Sequence, residues 1–221
     1  FASGPVLTIS LEPTIEFHDR SGMASSTRRK AVELWKTDIP GGDREKLARV
    51  LFTYDNPPGT QLISGSQDAI GIVFPGLNKL NYRGDYWPSS IESCHREDVL
   101  SFIETHLSLV TLGPRDDAYA ALTDSDVNAP KAERLARAAE ECWQALLSMD
   151  LERFGTSFTE SFEAQVAMFP RMADAQLRRV IAGYESSAAG WKLSGAGGGG
   201  YLILVAEARI PGTMGIKIRR E

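Results

Sequence analysis

The chain has 221 residues, of which AVILMFWYC make up 43% and DEKR 24%, with a net charge of −5. This is the composition of a folded globular chain; it excludes a disordered tail, a collagen-like or coiled-coil rod, and any default attraction to a nucleic-acid backbone. The longest apolar run, Tyr201 to Ala206, is strand-sized and far short of the ~18–20 residues of a membrane helix. Two cysteines, Cys94 and Cys142, cannot build a disulfide framework in a chain this long, which points to a reducing compartment. The start, Phe1-Ala2-Ser3-Gly4-Pro5, lacks the basic region and apolar run of a signal peptide. It reads as interior sequence, so a missing N-terminal segment is expected.

In chain order, Val6 to Phe17 alternates as a strand, with Pro13 placing it at an edge or bend. The polar segment His18 to Thr27 follows. Arg29 to Trp35 and Asp43 to Phe52 read as helices, the second with Leu47, Val50 and Leu51 on one face and Asp43 as N-cap. Asn56-Pro57-Pro58-Gly59 is a turn. Ile63 to Asn78 is glycine-punctuated with a short helix from about Gln67, and Lys79 to Trp87 is a strand and hairpin. His95 to Thr105 is a helix or long connection, and Leu107 to Leu112 a strand closed by Gly113-Pro114.

Three helices come next. Lys131 to Met149 places Leu135, Ala139, Cys142, Trp143 and Leu146 along one stripe. Leu151 to Phe169 does the same with Leu151, Phe154, Phe158, Phe162, Val166 and Phe169, and Pro170 ends it. Asp174 to Tyr184 turns Leu177, Val180, Ile181 and Tyr184 inward. Trp191 to Ala206 is strand, glycine turn, strand, and Met214 to Arg219 is a last strand. The expectation is an α+β chain in two parts, each of two packed layers, with a hinge near residues 88–106.

Three stretches carry chemistry. In Asp19 to Thr27, small residues between a strand and a helix let the backbone approach a phosphate, and the helix-start amides point at it. Hydroxyls of Ser25, Ser26 and Thr27 can bond phosphate oxygens or Mg²⁺. The plain alternative is a serine-rich loop capping a helix; a Walker loop is excluded because no Gly-Lys-Ser/Thr occurs there. In Leu62 to Asn78, Asp68 stands at a loop-to-helix junction, either taking a proton from a hydroxyl or merely capping the helix dipole. In Lys192 to Tyr201, five glycines in six positions lie between apolar strand residues, which is not linker composition. They permit positive φ and close approach of a ligand or of another backbone.

Together, in this order, the three stretches resemble the sugar-kinase branch of the GHMP kinase superfamily, with the nearest likeness to L-fucokinase and D-glycero-D-manno-heptose 7-phosphate kinase. Gly22-Met23-Ala24-Ser25-Ser26-Thr27 resembles the family's Gly-Leu-Gly-Ser-Ser phosphate loop. Gly65-Ser66-Gln67-Asp68-Ala69 is similar to its Gly-x-Gln-Asp-Gln motif, and Lys192 to Gly200 matches its Lys-Leu-Ser/Thr-Gly-Ala-Gly-Gly-Gly-Gly signature. Three departures stand out. Ala24 replaces a glycine, Ala69 replaces a glutamine, and the N-terminal substrate motif has no counterpart.

The resemblance implies an incomplete N-terminal nucleotide-binding part over residues 1–95, like domain 2 of ribosomal protein S5. It implies a C-terminal α/β part over residues 96–221 with a ferredoxin-like layer. It implies ATP and Mg²⁺, a sugar or sugar-phosphate acceptor, no nucleic-acid or membrane partner, a cytoplasmic setting and room for a homodimer. Asp68 would be catalytic. Gly22, Met23, Ala24, Ser25, Ser26 and Thr27 would bind nucleotide, with Ser26 reaching the metal. Gly65, Gln67, Gly197 and Gly198 would line the acceptor site. Arg115 is a weaker candidate for an anionic substrate group, and His18, His95 and His106 are not at metal-ligand spacing.

Overall fold

The computed structural model describes residues 7–9, 23–36, 38–61, 63–113, 119 and 123–221. A short strand β1 (Leu7–Ile9) precedes helices α1 (Ser25–Trp35), α2 (Arg44–Asp55) and α3 (Ser66–Val73). Strands β2 (Leu77–Asn81) and β3 (Ser90–Cys94) form an antiparallel hairpin of their own. Then come α4 (Glu97–His106), β4 (Leu107–Gly113), α5 (Ala129–Ser148), α6 (Leu151–Met168), a 3₁₀ turn (Pro170–Met172) and α7 (Ala175–Ala182). Strands β5 (Gly190–Leu193), β6 (Gly200–Val205) and β7 (Met214–Ile218) close the chain.

Helix boundaries follow local chemistry. Asp43 caps α2 by accepting from the amides of Glu45 and Lys46, Asn128 caps α5, and Asp150 and Asp174 cap α6 and α7. Pro170 cannot continue α6.

The main sheet runs β1-β7-β4-β6-β5, every pairing antiparallel. Its central strand β6 is apolar throughout because both faces are covered. Tyr201, Ile203 and Val205 face a core with Val99, Leu100 and Ile103 of α4, Trp143 and Leu146 of α5, and Phe154. Leu202 and Leu204 face the other way, onto Phe162, Met172, and Leu177 and Ile181 of α7. Helix α6 thus feeds one core with Phe154 and the other with Phe162, both fully buried. A third core, Ala31, Ala48, Leu51, Ala69, Ile70, Ile72 and Val73, joins α1, α2 and α3.

Three sequence expectations shift. Val50 is 49% exposed, because the buried face of α2 centres on Ala48 and Leu51 and position 50 lies about a third of a turn away. Ala139 is exposed while Ala138 is buried, since the principal neighbour of α5 is α6 and the stripe rotates towards it. Only Leu7–Ile9 of the expected first strand is described, and it pairs with β7 at the sheet edge. No helix among the described residues is long and apolar enough to cross a membrane. Both cysteines are free, Cys94 buried and Cys142 partly so.

Candidate active site

Helix α1 starts without a capping side chain. Its N-cap is Ala24 at φ 56°, ψ 31°, and Met23 before it also has φ 56°. Left-handed backbone suits glycine and is disfavoured for side chains with a Cβ, so two such residues in succession mark a strained turn. Alanine has no oxygen to take a first-turn amide, and the positive end of the helix dipole therefore faces the loop with no capping side chain. Ser25 and Thr27 are buried and Ser26 is half-buried. The Thr27 hydroxyl donates to Asp55 Oδ2 at 2.7 Å, tying the first turn of α1 to the end of α2.

Arg28 comes one turn into α1. Side chains on a helix lean towards its N-terminus, and Arg28 does so, donating through Nη2 to the Met23 carbonyl. Its guanidinium sits at the helix mouth, where burial pulls its pKa down to about 10 while Tyr201 and Asp68 nearby act in the opposite direction. It stays charged at neutral pH.

Asp68 stands in the first turn of α3, whose N-cap is Gly65. Burial, then the neighbouring Asp55, pushes its carboxyl up to about 6, and Arg28 opposes the rise. A base near 6 is better matched to neutral solution than an ordinary carboxylate. Ser66 is fully buried, its hydroxyl 2.9 Å from the Tyr82 hydroxyl and donating to the Tyr86 carbonyl at 2.5 Å, which pins the loop ahead of Asp68. Gln67 is exposed and folds its amide over Gly65, where an added Cβ would lie 2.0 Å from Oε1. Ala69 points into the third core at 1% exposure, so no longer side chain fits there without displacing Ala31, Leu51 and their neighbours.

The glycine run lies between β5 and β6. Gly195, Gly197, Gly198, Gly199 and Gly200 all have positive φ, which is why residues with a Cβ are absent from these five positions. A Cβ at Gly198 would fall 2.5 Å from the Tyr119 ring, and one at Gly197 would crowd Met172 and Leu193. The Tyr119 hydroxyl lies 3.0 Å from the Ala196 carbonyl and 3.3 Å from that of Arg171. Lys192, which opens the motif, packs against α6 instead. Its ammonium donates to Ser161 Oγ at 3.0 Å and to Gln165 Oε1, and burial lowers its pKa to about 8.

These stretches adjoin. The Met23 amide lies 3.4 Å from Ser194 Oγ, and Met23 packs against the core that contains Tyr201. Arg28 is within electrostatic reach of both Asp68 and Tyr201. So Met23, Ala24 and Arg28 from the first stretch, Asp68 from the second, and Ser194 and Tyr201 around the third share one region. Gly22, His18 and Arg115 lie outside the described residues. Among the described residues no three His, Cys, Asp or Glu side chains converge on a metal site. Oxygen donors suited to Mg²⁺ are nonetheless close together in Asp55, Asp68 and the α1 hydroxyls. Sequence reasoning missed Arg28, Asp55, Tyr119 and Tyr201. For Arg28 the signal was present: a cation three residues after Ser25 lies over the helix start.

No family model matches the chain. It is 24% identical over 196 residues to the Arabidopsis thaliana bifunctional fucokinase/GDP-fucose pyrophosphorylase, an alignment covering 83% of this chain and 18% of that protein. A mevalonate kinase structure superposes with a TM-score of 0.60 at 17% identity, over 90% of this chain and 65% of its own. A D-glycero-D-manno-heptose 1-phosphate kinase from Bacteriodes thetaiotaomicron superposes at 0.53 and 16% identity, over 88% of this chain and 60% of its own. The chain thus spans under two thirds of each of these structures and about a fifth of the curated relative. Its strands and helices have the fold of the GHMP-family kinases.

Proposed function

We propose that this chain is the greater part of an ATP-dependent kinase that transfers the γ-phosphoryl group to a hydroxyl of a sugar or sugar phosphate of fucose or heptose-phosphate type. Residues 1–95 would form the nucleotide-binding part and 96–221 the C-terminal part. The observation that supports this most directly is the shared region of Asp68, Arg28 and the uncapped start of α1, with Ser194 beside Met23.

In this reading Gly22 to Thr27 surrounds the β- and γ-phosphates, the α1 amides and Arg28 supplying positive charge. Ser26 would lie nearest the metal, and Mg²⁺ when bound would neutralise charge between the β- and γ-oxygens. Asp68 would accept the proton of the attacking hydroxyl, its raised pKa making it a competent base. Gly65 and Gln67 before it, and Gly197 and Gly198 across from it, would bound the acceptor. Positioning and fixed charge supply most of the acceleration in such transfers, so no covalent nucleophile is needed. The cytoplasm suits two free cysteines.

One observation favours a second reading, a nucleotide- or sugar-binding protein impaired in transfer: Ala69 is locked in the core, so the contact its glutamine counterpart would make is absent. ADP release over a panel of sugars and sugar phosphates separates the two. Acceptor-dependent ADP release supports the kinase. A thermal shift with ATP and Mg²⁺ but no ADP release with any acceptor supports the binding protein.

A further inference from the structure

Arg28 is expensively placed. A cation at the N-terminal end of a helix opposes the helix dipole. A partly buried guanidinium also gives up water that a single bond to the Met23 carbonyl replaces only in part. Helix formation asks for neither. What offsets both is on the facing helix: α1 and α3 pack through Ala31, Ala69 and Ile70, and Asp68 rises from the first turn of α3. The groups facing Asp68 are Arg28 on α1, Asp55 at the end of α2 and Tyr82 in the β2–β3 connection. Of these Arg28 is the one cation. Asp55 is held by Thr27, the residue next to Arg28, so a carboxylate is fixed on one side of Asp68 and a cation on the other.

We infer that Arg28 is the positioning residue for Asp68: anchored on the Met23 carbonyl, its guanidinium holds the Asp68 carboxylate towards the mouth of α1, where the reacting groups would meet. This inference rests on the reading of Asp68 as the base, but its test does not need turnover. A carboxylate that loses an adjacent cation binds its proton more tightly, by about 1 pH unit or more for a close pair.

The experiment is a pH titration of the Asp68 carboxyl by carbon-detected NMR in the full chain, for the unaltered protein, Arg28→Met and Arg28→Lys. The expected result is a midpoint near 6 in the unaltered protein. It should rise by about 1 unit in Arg28→Met and return most of the way in Arg28→Lys. Arg28→Gln, which can still donate to the Met23 carbonyl, takes the place of Arg28→Met if that variant does not fold. An Asp68 midpoint that stays put in a folded, uncharged variant overturns the inference. Where turnover is measurable, the acid limb of kcat should move with the same midpoint. If the titration shifts but no acceptor releases ADP, the pairing stands and the kinase reading falls.

Discussion

The Met23 amide and the Ser194 hydroxyl, 171 positions apart in sequence, lie 3.4 Å from each other. At that length the bond is weak. Its value is as a locator: it sets the strained turn before α1 against the start of the glycine run. With Met23 packed on the core below Tyr201, the phosphate-loop candidate is attached to the main sheet and not only to its own helices.

Asp68→Asn should lower turnover by orders of magnitude while leaving nucleotide binding nearly intact. It should also stabilise the protein. The folded pKa of Asp68 lies above its unfolded value, from 3.8 to about 6, so its contribution is complete below pH ~4 and is lost as pH rises through 6. Removing that loss is worth roughly 1–3 kcal/mol at neutral pH. Thermal melts from pH 4 to 8 check it: the two proteins should converge at the acid end. A variant that is less stable at pH 7.5 contradicts the burial of a charged carboxylate.

Ala24→Gly relieves a left-handed alanine at φ 56°. The conformational relief of about 1–2 kcal/mol is partly cancelled by the freer unfolded chain, leaving a gain of up to ~1 kcal/mol. Denaturant unfolding measures it. ATP affinity should hold or improve, because the loop loses a methyl and keeps its amides.

Gly190→Ala should be strongly destabilising. A Cβ there would meet the Gly155 carbonyl oxygen at 2.0 Å, and one at Gly155 would meet the Ala189 carbonyl at 2.4 Å. Both obstacles are backbone, so α6 must retreat from β5, at a cost of roughly 2–4 kcal/mol. Gly212→Ala tests the specificity of this claim by equilibrium unfolding: it meets no atom within 4 Å and pays only for its φ of +80°.

Arg219→Met removes a tie between the last strand and the catalytic helix candidate. Arg219 Nη2 donates to the carbonyls of Ile72 and Val73 at 3.0 and 2.8 Å, closing the C-terminal end of α3, and its own carbonyl accepts from Gly76. Loss of the side chain should cost roughly 1–3 kcal/mol. Hydrogen exchange should report the opening first at the amides of α3.

Much of this was legible in one dimension. Asp43 as a cap, the phenylalanine stripe of α6 and the strand–glycine–strand at β5 and β6 depend on neighbours within a few turns, and all three appear. The errors at Val50 and Ala139 come from the same source. Periodicity defines a stripe, but which edge of it is covered depends on where the next helix lies. Lys192 shows the limit most clearly. Its motif suggested a place near a ligand, yet strand alternation and α6 send its ammonium to Ser161 and Gln165.

From the linear order of residues came the α+β class, most elements, the three glycine- and serine-bearing stretches and the choice of Asp68, since each rests on local spacing or composition. Tertiary structure alone decided that Arg28 would face Asp68, that Thr27 would hold Asp55, and that Tyr119 would cover Gly198. The reason is physical. Charge and burial at a point are sums over neighbours in space, and the neighbours that set the Asp68 carboxyl come from helices whose packing no short stretch encodes.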